Sequence, residues 1–80
     1  MALAHERTVL RVLLRQARMA AKLTQSELGA RVDKDQAYVS RYEIGESQLD
    51  FVEVDVIARG LNLTLEEIVQ RYQERLAKQR

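Results

Sequence analysis

Four side chains with the means to recognise another molecule stand out in this 80-residue chain: Gln25, Gln36, Ser40 and Arg41. A glutamine amide donates and accepts in one plane, a guanidinium offers five donors in a rigid fork, and a hydroxyl does either. Chemistry that makes or breaks bonds needs other groupings, and these are missing. The chain has no cysteine, and its one histidine, His5, stands in the N-terminal tail, where it is expected to fray and is assigned no role. No Ser–His pairing, phosphate-cradling glycine loop or metal-ligand spacing occurs. The adjacent carboxylates Glu66 and Glu67 open a predicted helix, where the helix dipole accounts for them. Binding is therefore the expected chemistry, with no enzyme activity, metal or cofactor.

Helices must position these groups. Apolar residues recur at steps of three and four, proline is absent and glycine occurs three times, so the chain reads as all-α. A first helix is expected from about Ala4 to Ala21, with Leu10, Leu14, Ala17 and Ala21 as its core stripe. Val9, Val12, Leu13 and Met19 widen that stripe, either to cover a partner or as partly exposed apolar surface. Three later starts carry a capping residue three positions before a glutamate: Thr24 with Glu27, Asp50 with Glu53, and Thr64 with Glu67. Asp35 can cap a fourth without the glutamate. Breaks at Asp33, Gly45 and Asn62 separate the segments, all residue types that accept turn geometry. The expectation is one five-helix domain over residues 1–80, its last helix at about 65–78, with no repeat or linker.

Length and charge narrow the class further. A domain of 80 residues is marginal alone, which favours association with a second copy. No apolar run approaches the roughly 20 residues of a membrane span, and Met1 to Arg7 lacks the pattern of a secretion signal. A cytoplasmic protein is expected. The net charge is only +1, but it is unevenly placed. Through Gly45 the chain carries eight basic and five acidic residues, and from Glu46 onward five basic and seven acidic. A basic first half suits a polyanion, although ordinary solvated charge produces the same asymmetry.

The stretch from Leu23 to Gly45, LTQSELGARVDKDQAYVSRYEIG, joins two short helices by a tight turn. Leu28, Val32, Val39 and Tyr42 are the apolar contacts such a pair needs. Gly29 stands where the helices approach, leaving room for nothing larger than alanine, and Asp33 occupies a turn position that calls for positive φ. This stretch resembles the Cro/XRE-type phage-repressor helix-turn-helix family. Leu23, Thr24, Gln25, Glu27, Leu28, Val39, Ser40, Glu43 and Gly45 match its pattern, with Gly29 and Val32 as conservative replacements. The likeness extends from about Leu10 to Val69, with the motif itself at residues 24–44. Asp33 and Lys34 depart from it, in the turn, where the family has glycine and an apolar residue.

The resemblance implies a compact five-helix, lambda-repressor-like DNA-binding domain whose third helix enters the major groove. It implies contact between Gln25 and Gln36, one anchoring on phosphate and the other reading a base. A helix N-terminus favours phosphate, and a glutamine amide can pair with adenine N6 and N7. The expected DNA-binding set is Gln25, Lys34, Gln36, Ala37, Tyr38, Ser40 and Arg41. Arg41 would read guanine or clamp a phosphate. Arg18 and Glu43 match a family pair that orients the recognition helix, with phosphate as an alternative partner for Arg18. The last helix carries the stripe Leu65, Ile68, Val69, Tyr72 and Leu76, of which Val69, Tyr72 and Leu76 are the expected homodimer surface. The function implied is a transcriptional regulator, foremost a repressor, that reads a pseudo-palindromic operator on double-stranded DNA. Two other readings remain open: the antitoxin of a toxin–antitoxin pair, and an interaction adaptor with a protein partner that has lost DNA binding. The loop Gly45-Glu46-Ser47-Gln48 lacks basic residues and leans toward the adaptor, whereas Gln25, Gln36 and Arg41 lean against it.

Overall fold

The computed structural model describes residues 2–79; Met1 and Arg80, the ends of the expected domain, lie outside the described residues. Five helices follow one another: α1 (Ala2–Ala20), α2 (Gln25–Arg31), α3 (Gln36–Glu43), α4 (Phe51–Gly60) and α5 (Leu65–Lys78). The three glutamate-bearing starts are reciprocal caps. Thr24, Asp50 and Thr64 each accept the backbone N–H of Glu27, Glu53 and Glu67, and each glutamate accepts the N–H of its cap residue. Asp35 caps α3 alone, accepting from the Tyr38 N–H.

The ends of α1 to α4 are built alike. Lys22, Asp33, Gly45 and Asn62 have φ of 59°, 57°, 86° and 60°, and each sits just past a helix end. Beyond each, an N–H returns to a carbonyl inside the helix: Leu23 to Arg18, Lys34 to Gly29, Glu46 to Arg41, and Leu63 to Ala58. These paired turn-backs satisfy carbonyls that a helix end otherwise leaves bare. Asp33 thus supplies the left-handed turn expected of it.

Leu13, Leu14 and Ala17 of α1 meet Leu28, Val32, Val39, Tyr42, Val54, Ile57, Ala58, Leu61 and Ile68 in one core. The four apolar residues expected between α2 and α3 are therefore all buried. The reading of α1 needs correction. Leu13 is a fully buried core residue and Val9 is buried too, whereas Leu10 is half-buried and Ala21 exposed. The helix ends at Ala20, one residue before the expected stripe does, and Lys22 then turns the chain away. At the other end α1 starts two residues before Ala4, so His5 lies within the helix, exposed, rather than in a frayed tail. Gly29 is also stricter than expected: a Cβ there would lie 2.8 Å from the Asp35 carbonyl oxygen, so even alanine would press α2 off α3.

Candidate nucleic-acid interface

Because α2 and α3 start with caps and are joined by the Asp33 turn, their first residues, Gln25 and Gln36, come together. The Gln36 amide donates to Gln25 Oε1 at 2.7 Å, and the Gln25 amide donates to Glu43 Oε1 at 2.8 Å. Glu43 is buried on the inner face of α3, next to Tyr42. Arg18 of α1 grips its carboxylate with two bonds, Nε to Oε2 at 2.7 Å and Nη2 to Oε1 at 3.0 Å. Arg18 Nη1 also donates to the Leu23 carbonyl at 2.8 Å, at the exit of α1. The hydrogen bond it donates to Glu43, opposed by burial, holds the Arg18 guanidinium still more firmly protonated than usual. A buried carboxylate with three donors is tolerated because charge and lone pairs are both answered.

The opposite face of α3 looks outward. Gln36 and Arg41 are exposed, and Ala37 and Ser40 are half-buried beside them. Among the described residues the Arg41 guanidinium makes no ion pair, which leaves its donors to a ligand. Lys34 is exposed in the preceding turn, its ammonium 5.3 Å from the centre of the Tyr38 ring. Tyr38 itself is turned toward α4, where its hydroxyl donates to Glu53 Oε2 at 2.6 Å. Burial, reinforced by that bond to Glu53, pushes its ionisation well above the ordinary tyrosine range. Its hydroxyl is therefore committed within the protein, and only the side of the ring is left to a ligand. No group of three or more His, Asp or Glu among the described residues forms a metal site, and no described helix is long and apolar enough to cross a membrane.

Residues 14–68 match the helix-turn-helix family HTH_3. A solved XRE-family like protein from Pseudomonas syringae pv. tomato str. DC3000 is 32% identical, with a TM-score of 0.85 over 91% of this chain and 89% of that one. The chain belongs to the XRE family of helix-turn-helix DNA-binding regulators. Two solved forms of the restriction-modification controller protein C.Esp1396I share its fold. A point mutant is 16% identical, with a TM-score of 0.85 over 91% of this chain and 92% of that one. The wild type is 17% identical, with a TM-score of 0.83 over 89% and 91%. No curated protein matches the chain.

Other surfaces of this XRE-family domain differ from the sequence reading. Val69 is exposed, but Tyr72 and Leu76 are half-buried, on a helix that packs against α1. Tyr72 lies against the core, and Arg75 donates to Gln16 of α1. The three do not form one open stripe. The most exposed large apolar residues are instead Phe51 (71%) and Val52 (66%), in the first turn of α4. They adjoin a groove lined by Leu3, Leu10, Leu49, Phe51, Val69 and Tyr72. Sequence reasoning missed them because Phe51 stands three residues before the core residue Val54, and so looks like part of the buried stripe. It also missed Glu53 as a partner of Tyr38. A capping glutamate keeps a second oxygen free, and that is the only sign the sequence carried.

Proposed function

We propose that this protein is a sequence-specific transcriptional repressor that binds a pseudo-palindromic operator as a homodimer in the cytoplasm. The observation that carries the reading is the bonded series Arg18–Glu43–Gln25–Gln36. A carboxylate only accepts, so Gln25 must turn its NH₂ toward Glu43 and its oxygen toward Gln36. Gln36 must then give one N–H to Gln25, which leaves it one N–H and its oxygen. That remaining pair complements adenine, whose major-groove edge offers N7 as acceptor and N6 as donor, and it mismatches the two acceptors of guanine. Arg41, with donors only, complements guanine or a phosphate. Ala37 and Ser40 complete the reading face, while Lys34 and Gln25 lie nearer the backbone.

Dimerisation is supported by the open apolar surface at Phe51, Val52 and Val69, which a second copy would cover. The size of the unit agrees. A domain of 36 × 24 × 21 Å allows two copies side by side to place their recognition helices about 34 Å apart, one turn of the duplex. Occupying a promoter is all that repression demands of such a dimer. Selection of duplexes from a random pool tests the whole reading. The expected product is an inverted repeat with an A·T pair at the Gln36 position of each half-site. A pool that yields no sequence able to outcompete bulk DNA would favour the adaptor. Recovery of a single, unrepeated half-site would remove the dimer.

A further inference from the structure

The recognition helix α3 has four C-terminal carbonyls that cannot be bonded within the helix. Three are met by the chain that follows: Ile44 donates to Ser40, Glu46 and Ser47 donate to Arg41, and Gly45 donates to Tyr42. The fourth, on Glu43, has no such partner. Arg11 of α1 reaches across and donates Nη1 to it at 2.9 Å. Arg11 and Arg18 are seven residues apart, two helical turns, and so share one face of α1. Both therefore hold the same residue, Arg18 by its carboxylate and Arg11 by its backbone.

Gly45 makes room for this grip. A Cβ on it would stand 3.2 Å from Arg11 Nε and 3.6 Å from Cζ, and its φ of +86° disfavours any side chain in any case. The guanidinium thus lies across the left-handed turn that ends α3, at the negative end of the helix dipole. Arg41, the exposed cation of α3, belongs to this same last turn, and its own carbonyl accepts from Glu46 and Ser47, the two residues that follow Gly45.

We infer that Arg11 is a positioning residue: by clamping the backbone end of α3 it sets where Arg41 meets the operator. The inference rests on the reading of α3 as the DNA-contacting helix. It makes Arg11 matter for one base pair without touching it.

Three single variants with intact Arg18, and the combination of the first and third, test this: Arg11→Met keeps the stem and loses the donors, Arg11→Lys keeps a charged donor, and Arg41→Ala gives the reference loss. Amide hydrogen exchange is measured without DNA, and affinity is measured for the selected site and for its single-base changes. In Arg11→Met, the Gly45, Glu46 and Ser47 amides should exchange about tenfold faster while those of α2 do not change. Discrimination at the Arg41 base pair should fall about tenfold, with the Gln36 base pair unaffected. Arg11→Lys should recover most of it, and Arg11→Met should add nothing to discrimination once Arg41 is alanine. The salt dependence of binding should not change. A uniform loss over all sequences with a shallower salt dependence would make Arg11 a phosphate contact and overturn the clamp. Unaltered exchange and discrimination in Arg11→Met would overturn it too. Should Arg11→Met not fold, Arg11→Gln, whose amide is too short to reach the Glu43 carbonyl, takes its place in the same exchange and discrimination measurements, with the same two outcomes. Wild-type protein with no base preference anywhere would mean that the DNA reading itself has failed, a result distinct from a selective wild type indifferent to Arg11.

Discussion

The face built by α2 and α3 and the groove between α1, α4 and α5 finish their chemistry in opposite ways. On the first, polar groups are bonded to one another inward and leave a defined set of donors and acceptors outward. On the second, Phe51 and Val52 are left open to solvent beside a mostly apolar groove, with Glu6, Arg7 and Asp50 as its charged lining. Directional bonds fix which partner fits, whereas apolar surface fixes only that something should cover it. The first face suits selection among sequences, and the second suits association with a like surface.

The largest effect should come from cutting the polar face at its buried end. Glu43→Ala leaves Arg18 and Gln25 without their acceptor and should cost about 3–5 kcal/mol of stability. Thermal unfolding and operator binding should fall together; a variant that melts like wild type but does not bind would show that the carboxylate does not support the fold. The apolar face should answer to charge. Phe51→Glu with Val52→Glu should shift sedimentation toward monomer and weaken a palindromic site far more than a single half-site. Tyr72→Glu with Leu76→Glu should instead unsettle the α1–α5 packing and lower the melting temperature. If only the second pair dissociates the dimer without loss of stability, the interface lies along α5.

A smaller, local effect is expected from Arg41→Ala, about 1–3 kcal/mol at one base pair of each half-site, read by competition among single-base variants. An equal loss at every sequence would assign Arg41 to phosphate. Smallest is the pH response of the α2 cap. The Thr24 backbone N–H, with help from its hydroxyl, holds the Glu27 carboxyl below its ordinary value of 4.5. The folded form thus favours the charged state. Its contribution should be complete above about pH 4.5 and vanish as the pH falls through the lowered value. Glu27→Gln should flatten that part of the stability profile.

The legible parts of this fold were those written in short linear spacings. Thr24 with Glu27, Asp50 with Glu53 and Thr64 with Glu67 each sit three residues apart, and all three form reciprocal caps. Asp33 and Asn62 announced their turns because their side chains tolerate positive φ; Lys22 does the same work and carries no such mark. On α1 the apolar residues span too wide an arc for periodicity to tell Leu13 from Leu10, and only packing against α3 and α5 decides. Partners of the site fared similarly. Arg18 and Glu43 were reached through the family resemblance, but Arg11 bonds a backbone carbonyl, and a carbonyl has no letter in the sequence. The Tyr38–Glu53 bond depends on how α3 crosses α4, which no local spacing records.

The left-handed residues that end α1 to α4 have a kinetic consequence. Each junction closes on carbonyls at most six residues back, so helix ends and turns can form before any distant part of the chain has arrived. The step that spans the molecule is the docking of α5 on α1, where Arg75 meets Gln16 across 59 residues. Short-range closure of this kind belongs to the fast class of small helical domains, which refold in microseconds to milliseconds. The chain also has no proline and no cysteine, so neither isomerisation nor disulfide exchange can add a slow phase. Refolding should therefore be a single exponential.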